Sequence, residues 1–237
     1  MKDIIKMMGI IAFIAVIGFT MAACSTDGGD DPPVTTAPLG ATLNLSGPVD
    51  LWVYDDDTDE FVLIDNFTGN REVTAIFFDG DDDDDNIIPL GGNGAITGGQ
   101  FSFTIGTPNH TLPISELMSN INGEDISINN PAVQAVGLNL RTPSGFLFRE
   151  HKTETIDDQV QYIYVADDVT ISAGKSSFSG DQYGTETLSA FTINLKKGWN
   201  ALRFRYVVTS TNPYSATMTF SAANPGHLRW VLHEFDY

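Results

Sequence analysis

Aspartate recurs at alternate positions in Asp55, Asp57 and Asp59, and again at Asp81 and Asp83 within the run from Asp79 to Asp85. A loop presenting carboxylates at every second residue is one way to gather the six to eight hard oxygen ligands that calcium takes. The twelve-residue calcium loop also needs glycine at its sixth place and glutamate at its twelfth. Here those places hold Glu60 and Asn66, or Asp84 and Leu90. Two readings stay open: a calcium site on Asp55, Asp57 and Asp59 or on Asp81 and Asp83, or solvated hairpin loops whose charge keeps sheet edges apart. No other cofactor is indicated. The histidines, His110, His151, His227 and His233, lack metal-ligand spacing, and His227 and His233 would share a strand face about 20 Å apart. Glu150, His151 and Lys152 stand side by side, so neighbours face opposite ways, and an exposed hairpin end is the plain expectation for them. Nucleophile elbows, zinc-binding helices, phosphate loops and dinucleotide fingerprints are absent from the sequence. The chain reads as a non-enzyme. Hydrolysis by paired carboxylates is a third-ranked alternative, since two acids at a set separation in a cleft suffice for glycosidase chemistry.

Cys24 is the sole cysteine of 237 residues and directly follows Met21-Ala22-Ala23. Lys2 and Lys6 precede an apolar stretch over residues 7–23. The layout resembles a bacterial lipoprotein signal peptide over residues 1–23, in which Cys24 carries the lipid and becomes the first residue of the mature chain. Two plainer readings remain beside it: an ordinary secretory peptide leaving a stray thiol, or the 18 residues 7–24 retained as a membrane span. Lipidation accounts for the lone cysteine, which has no partner for an internal disulfide. Two or three acyl chains would make attachment stable. Residues 24–38, rich in Asp, Gly, Pro and Thr, then read as a flexible tether. Ser25 after the lipidated position favours the outer membrane over the inner, with the folded part facing the periplasm or the surface.

The chain carries 12 basic and 31 acidic residues, net −19, unevenly spread. Residues 25–90 hold 17 acids against Arg71 alone, whereas residues 91–237 hold 13 acids against 9 bases. Such a surface repels phosphate backbones, which excludes nucleic acid as a partner. It repels anionic headgroups as well, leaving the lipid as the membrane contact. Divalent cations, or a basic protein or glycan partner, suit the charge.

What must position these residues is strand. Apolar residues alternate in Phe101, Phe103, Ile105; in Val160, Tyr162, Tyr164; in Phe191, Ile193, Leu195; in Leu202, Phe204, Tyr206, Val208 with Arg203 and Arg205 outward; in Met218, Phe220; and in Leu228, Trp230, Leu232. Lys197-Gly198 and Asn224-Pro225-Gly226 are hairpin signals. Helix is confined to about two turns from Ile114 to Ile121, and a short one after the Asn130-Pro131 cap. The pattern predicts an all-β chain of antiparallel Greek-key sandwich type in two small units, an acidic one over 39–106 and a second over 143–237, joined by a connection over 107–142. Trp199 and Trp230 sit in strand patterns and are expected in the core rather than as sugar platforms.

Leu43-Asn44-Leu45-Ser46-Gly47, Gly98-Gly99-Gln100-Phe101-Ser102-Phe103, Tyr162-Ile163-Tyr164-Val165, Asp168-Val169-Thr170-Ile171, Leu195 to Asn200 and Leu228 to Leu232 occur in an order similar to that of uncharacterised spirochaetal lipoproteins. The resemblance implies an envelope lipoprotein and brings no activity or site residue. The leading expectation is a lipid-anchored interaction or structural module of a bacterial envelope. Calcium-assisted carbohydrate binding or adhesion is the alternative.

Overall fold

The alternation resolves into strands. In the computed structural model, which describes residues 38–55, 60–78, 87–118, 126–180 and 184–234, the strands in chain order are β1 (Leu43–Asp55), β2 (Glu60–Ile64), β3 (Arg71–Phe78), β4 (Ile87–Thr97), β5 (Gln100–Ile105), β6 (Leu112–Pro113), β7 (Ile126–Ile128), β8 (Gln134–Thr142), β9 (Gly145–Lys152) and β10 (Ile156–Val165). Then follow β11 (Val169–Ala173), β12 (Ser176–Gly180), β13 (Gly184–Leu188), β14 (Phe191–Leu195), β15 (Gly198–Thr211), β16 (Tyr214–Ser221) and β17 (Arg229–Glu234). A helical turn, α1 (Ile114–Leu117), lies after β6. β5 shows the rule most simply: Phe101, Phe103 and Ile105 are buried, and Gln100, Ser102 and Thr104 face solvent.

Eight strands close into a barrel in the order β1-β5-β4-β3-β8-β10-β9-β17 and back to β1. The closing pair, β1 with β17, is parallel and sets Val49 opposite Trp230 and Trp52 opposite His233. β8 and β9 pair at their turn, from Leu140–Leu147 to Thr142–Gly145, and then fork. β10 fills the fork, pairing β9 through Asp157 to Val160 and β8 through Tyr162 to Val165. Gly145 is required at this seam, since a Cβ there would lie 1.8 Å from the His233 carbonyl oxygen. Closure gives each ring strand a neighbour on both sides.

The sheet does not stop at the ring. The other edge of β10 pairs with β15, and β16, β13 and β12 follow outward, with β13 parallel to β16. β14, β11 and β7 form a separate three-stranded sheet. It contributes Val169, Ile171, Ile193 and Leu195 to the same core as the barrel's Leu45, Val73, Phe103, Leu147 and Leu232. Trp230 packs edge-on to Phe101 at 4.6 Å and stacks with Tyr162 at 6.2 Å. Trp199 is fully buried and donates its indole N–H to the Gly106 carbonyl at 2.8 Å. Both tryptophans are core residues, as expected.

The all-β class holds, but the Greek-key sandwich of two units does not. Strands from 39–106 and 143–237 enter one ring, because β1 pairs with β5 on one side and β17 on the other. Alternation within a strand reports its faces and is silent on its neighbours, so a sandwich and a barrel read alike. Two hairpin expectations fail for the same reason. β14 and β15, on either side of Lys197, belong to different sheets. The Asn200 side chain holds that corner through Lys196 and Gly198, and Gly198 adopts φ +100° against Gly40. Asn224 to Gly226 likewise joins β16 to β17, which do not pair. The helix expected after Asn130 is a turn at Pro131 and Ala132. Val133 is buried there, its carbonyl accepting from the Ile114 amide, and the chain enters β8.

Candidate functional site

Two carboxylates are almost fully buried on opposite faces of the β9–β10 pair: Glu150 and Asp158, each 2% exposed. Register puts Glu150 beside Gln159 and Asp158 beside His151, so the two acids point away from each other. Asp158 lies on the face shared with Trp230, Tyr162 and Leu147, the barrel's inner face. Glu150 lies on the outer face, with Phe148 and His233.

On the outer face, Glu150 Oε1 is 2.7 Å from His233 Nε2, and Lys152 Nζ is 3.5 Å from Oε2 and 3.8 Å from Asp157. Trp52 stacks on His233 at 5.2 Å and 17°, Phe148 meets the same ring edge-on at 4.8 Å, and the Lys152 ammonium sits 5.8 Å over Trp52. Burial on its own would raise the Glu150 carboxyl. Lys152 and then His233 outweigh it and hold the group below the usual carboxylate range. Lys152 is pushed up by Glu150 and Asp157 against the opposing effect of burial. Asp157 is raised, mainly by burial. Glu150 Oε2 makes no hydrogen bond. A glutamate–histidine pair can relay a proton, but the ring faces of His233 are covered by Trp52 and Phe148 and its Nε2 is spent on Glu150. This arrangement fixes β9 to β17 and carries Trp52 and Phe148 on its outside.

On the inner face Arg203 grips Asp158 with two bonds, Nε to Oδ1 at 2.8 Å and Nη2 to Oδ2 at 2.7 Å. His227 Nε2 stands 3.3 Å and Arg205 Nε 4.0 Å from the same Oδ2. Arg149 donates to the Tyr162 hydroxyl at 3.1 Å and the Pro225 carbonyl at 3.3 Å, and lies 5.7 Å over the Trp230 ring. Arg203 and Arg205 therefore do not simply point outward, as the alternation suggests. The buried Asp158 draws them in.

A third feature lies where β1 outruns the barrel. β17 accompanies β1 only to Trp52, whereas β2 pairs with β1 from Leu51 to Asp55, Trp52 opposite Leu63 and Val53 opposite Val62. Among the described residues β2 pairs with β1 alone. Val62, Leu63 and Ile64 are 44%, 45% and 47% exposed, large apolar side chains open to water on three consecutive positions. The two strands make an antiparallel ribbon, and its connection has the sequence Asp56-Asp57-Thr58-Asp59. Asp65, just past β2, shares Arg229 with the buried Asp50, each carboxylate 3.0 Å from Nη1.

Of the residues the sequence puts forward, Cys24, Asp57, Asp59, Asp81 and Asp83 lie outside the described residues, and Asp55 ends β1. Among the described residues no three His, Cys, Asp or Glu side chains gather closely enough to hold a metal ion. Glu150 is not at an exposed hairpin end: β9 lies between β10 and β17, and β17 and Trp52 cover it. His227 and His233 serve opposite faces rather than one, because His227 precedes β17. Trp52 and the apolar β2 are not marked by alternation in the sequence. The visible signal was Phe61-Val62-Leu63-Ile64, four apolar residues in a row, which alternation rules do not assign to a half-buried strand. A shallow depression of ≈ 390 Å³ on the three-stranded sheet, lined by Ser127, Ser172, Thr192 and Phe191 among others, has no titratable side chain in its wall.

No protein-family model matches the chain, and no curated protein or solved structure shows a significant match to it. No helix among the described residues is long and apolar enough to cross a membrane.

Proposed function

We propose that this chain is a non-catalytic interaction module of a bacterial envelope, held to the membrane by lipid on Cys24, which docks an extended, basic segment of a partner protein along β2. The observation that carries this reading is the exposure of Val62, Leu63 and Ile64 on a strand bonded along one edge only among the described residues. A free strand edge offers unpaired backbone donors and acceptors, and strand addition satisfies them while burying alternate side chains. Charge selects the occupant. The ribbon is flanked in sequence by Asp55 to Glu60 and by Asp65, within the third of the chain that holds 17 acids against one base. A partner strand alternating aliphatic and Lys or Arg residues complements both the apolar stem and the acidic surroundings. The same acids repel anionic headgroups, which favours a protein over the bilayer as occupant. The anchor reading rests on Met21-Ala22-Ala23-Cys24 after a basic and then apolar start.

Tryptophan emission tests the docking. Trp199 and Trp230 are buried, so a short peptide of alternating valine and lysine added to the full chain in nonionic detergent should change the emission of Trp52, the neighbour of Leu63. Leu63→Lys should abolish the change. An unchanged spectrum at saturating peptide, or the same response from a valine–glutamate peptide, sinks the proposal. For the anchor, Cys24→Ser should release the protein from the membrane fraction. Wild-type partitioning of a correctly processed variant would remove it.

A further inference from the structure

Positive charge gathers at one point of this acidic protein, and it exceeds what its partner acid can use. Asp158 is flanked in register by His151 on β9 and by Arg205 on β15. Arg203, one pair along on β15, saturates the carboxylate with its two short bonds, and His227 adds a third contact. Arg205 is left with a single 4.0 Å approach, and its buried Nε has no hydrogen-bond partner. Arg149, two positions from His151 on the same face, bonds only neutral oxygens, and its Nε is also buried without a partner. Arg203, Arg205 and His227 thus lie within 4.0 Å of one carboxylate, with Arg149 and His151 on the same face. The cluster is open to solvent, with the Arg205 side chain 30% and His227 53% exposed and His151 exposed beside it, its ring 6.3 Å from that of His227.

The surface leading away from the cluster has a matching character. Pairing register continues the Arg203–Arg205 face outward through Thr217, Thr219 and Ser221 on β16, Thr185 and Thr187 on β13, and Ser177 on β12. Phe204, Phe220 and Met218 occupy the opposite face. A field of hydroxyls therefore ends at a patch of unmatched guanidinium.

We infer that Arg205, with His151 and His227, binds the carboxylate or sulfate oxygens of a short acidic saccharide whose hydroxyls lie along the serines and threonines of β16 and β13. A planar guanidinium matches a two-oxygen anion in geometry as well as charge. The ligand must be short, because a net charge of −19 repels a long polyanion from every other side. This site shares no residue with β2, so it stands or falls independently of strand docking.

Ring signals of the histidines in carbon–proton correlation spectra of the full chain in nonionic detergent test the inference, with sodium sulfate, digalacturonate and diglutamate as probes and sodium chloride at matched ionic strength as reference. Sulfate and digalacturonate should shift His151 and His227 saturably and leave His110, which stacks on Phe77, in place. Arg205→Gln should weaken both at least about tenfold, the loss expected for one charge-assisted bond. If that variant fails to fold, His227→Gln, on an exposed side chain, should weaken binding in the same direction. Shifts that chloride reproduces, or equal affinity in Arg205→Gln, overturn the anion site. Diglutamate binding as tightly as digalacturonate overturns the saccharide as its source.

Discussion

Glu150 and Asp158 occupy adjacent rungs of the same strand pair, are equally buried, and face opposite ways. The outer acid has one close imidazole, an ammonium at 3.5 Å and an oxygen without a hydrogen bond. The inner acid has two short guanidinium bonds and cations left over. Burying a charge is expensive unless it is paired and bonded. The inner face meets that requirement with a surplus, while the outer face meets it narrowly and covers the result with Trp52 and Phe148. The contrast separates the roles. An acid that consumes its partners is structural, whereas cations that outnumber their acid remain available to a ligand.

Removing either acid sharpens the comparison. Asp158→Ala takes the paired carboxylate from Arg203, whose side chain is 11% exposed, and should cost about 3 to 5 kcal/mol in urea unfolding. Glu150→Gln keeps an acceptor for His233 and loses the interaction with Lys152, so a smaller cost of about 1 to 3 kcal/mol is expected. An order reversed between the two would show that the outer arrangement is the stronger.

Acidity separates them further. The Glu150 carboxyl lies below its usual range in the folded chain, so its stabilisation is complete above the unfolded value, about 4.3, and is lost as pH falls through the lower folded value. Asp157, raised by burial, acts with the opposite sign: the folded state binds its proton first, and stability from this group is lost as pH rises through the raised value. Unfolding free energy followed from about pH 6 to about pH 3, across the ordinary carboxylate range, should decline less steeply in Glu150→Gln than in wild type. Parallel curves would remove Glu150 from the acid response.

At the exposed ribbon the expected stability effects are small. Leu63→Lys replaces a solvent-exposed side chain and should alter stability by no more than about 0.5 kcal/mol, though it abolishes peptide docking. Smaller still is the response to calcium if the acidic stretches are solvated loops: millimolar calcium should barely move the thermal midpoint, since exposed charges are screened. A rise of many degrees that Asp57→Asn or Asp83→Asn abolishes would reinstate the calcium loop.

Faces were legible in the sequence and neighbours were not. Phe101, Phe103 and Ile105, or Trp230 and Leu232, show their burial by spacing alone. Nothing in the residues of β1 announces a parallel partner some 180 positions away, which is what turns strands expected in a sandwich into a ring. Glu150 and Asp158 are hidden for the same reason. An isolated Glu or Asp in a strand reads as solvent-facing, and only the register of β9, β10, β15 and β17 brings His233, Arg203 and His227 to them. Net charge misled in a further respect: it points to cations and basic partners everywhere, whereas three of the chain's arginines, Arg149, Arg203 and Arg205, share one face.

The central claim, that β2 is a docking edge, is tested most directly by backbone amide exchange at Val62, Leu63 and Ile64 in the full chain, with and without the valine–lysine peptide. The account predicts exchange slowed at β2 when the peptide is bound, with Phe101, Phe103 and Ile105 of the closed ring unchanged. Equal exchange at β2 with and without saturating peptide, or slowing spread evenly over the barrel, would contradict it.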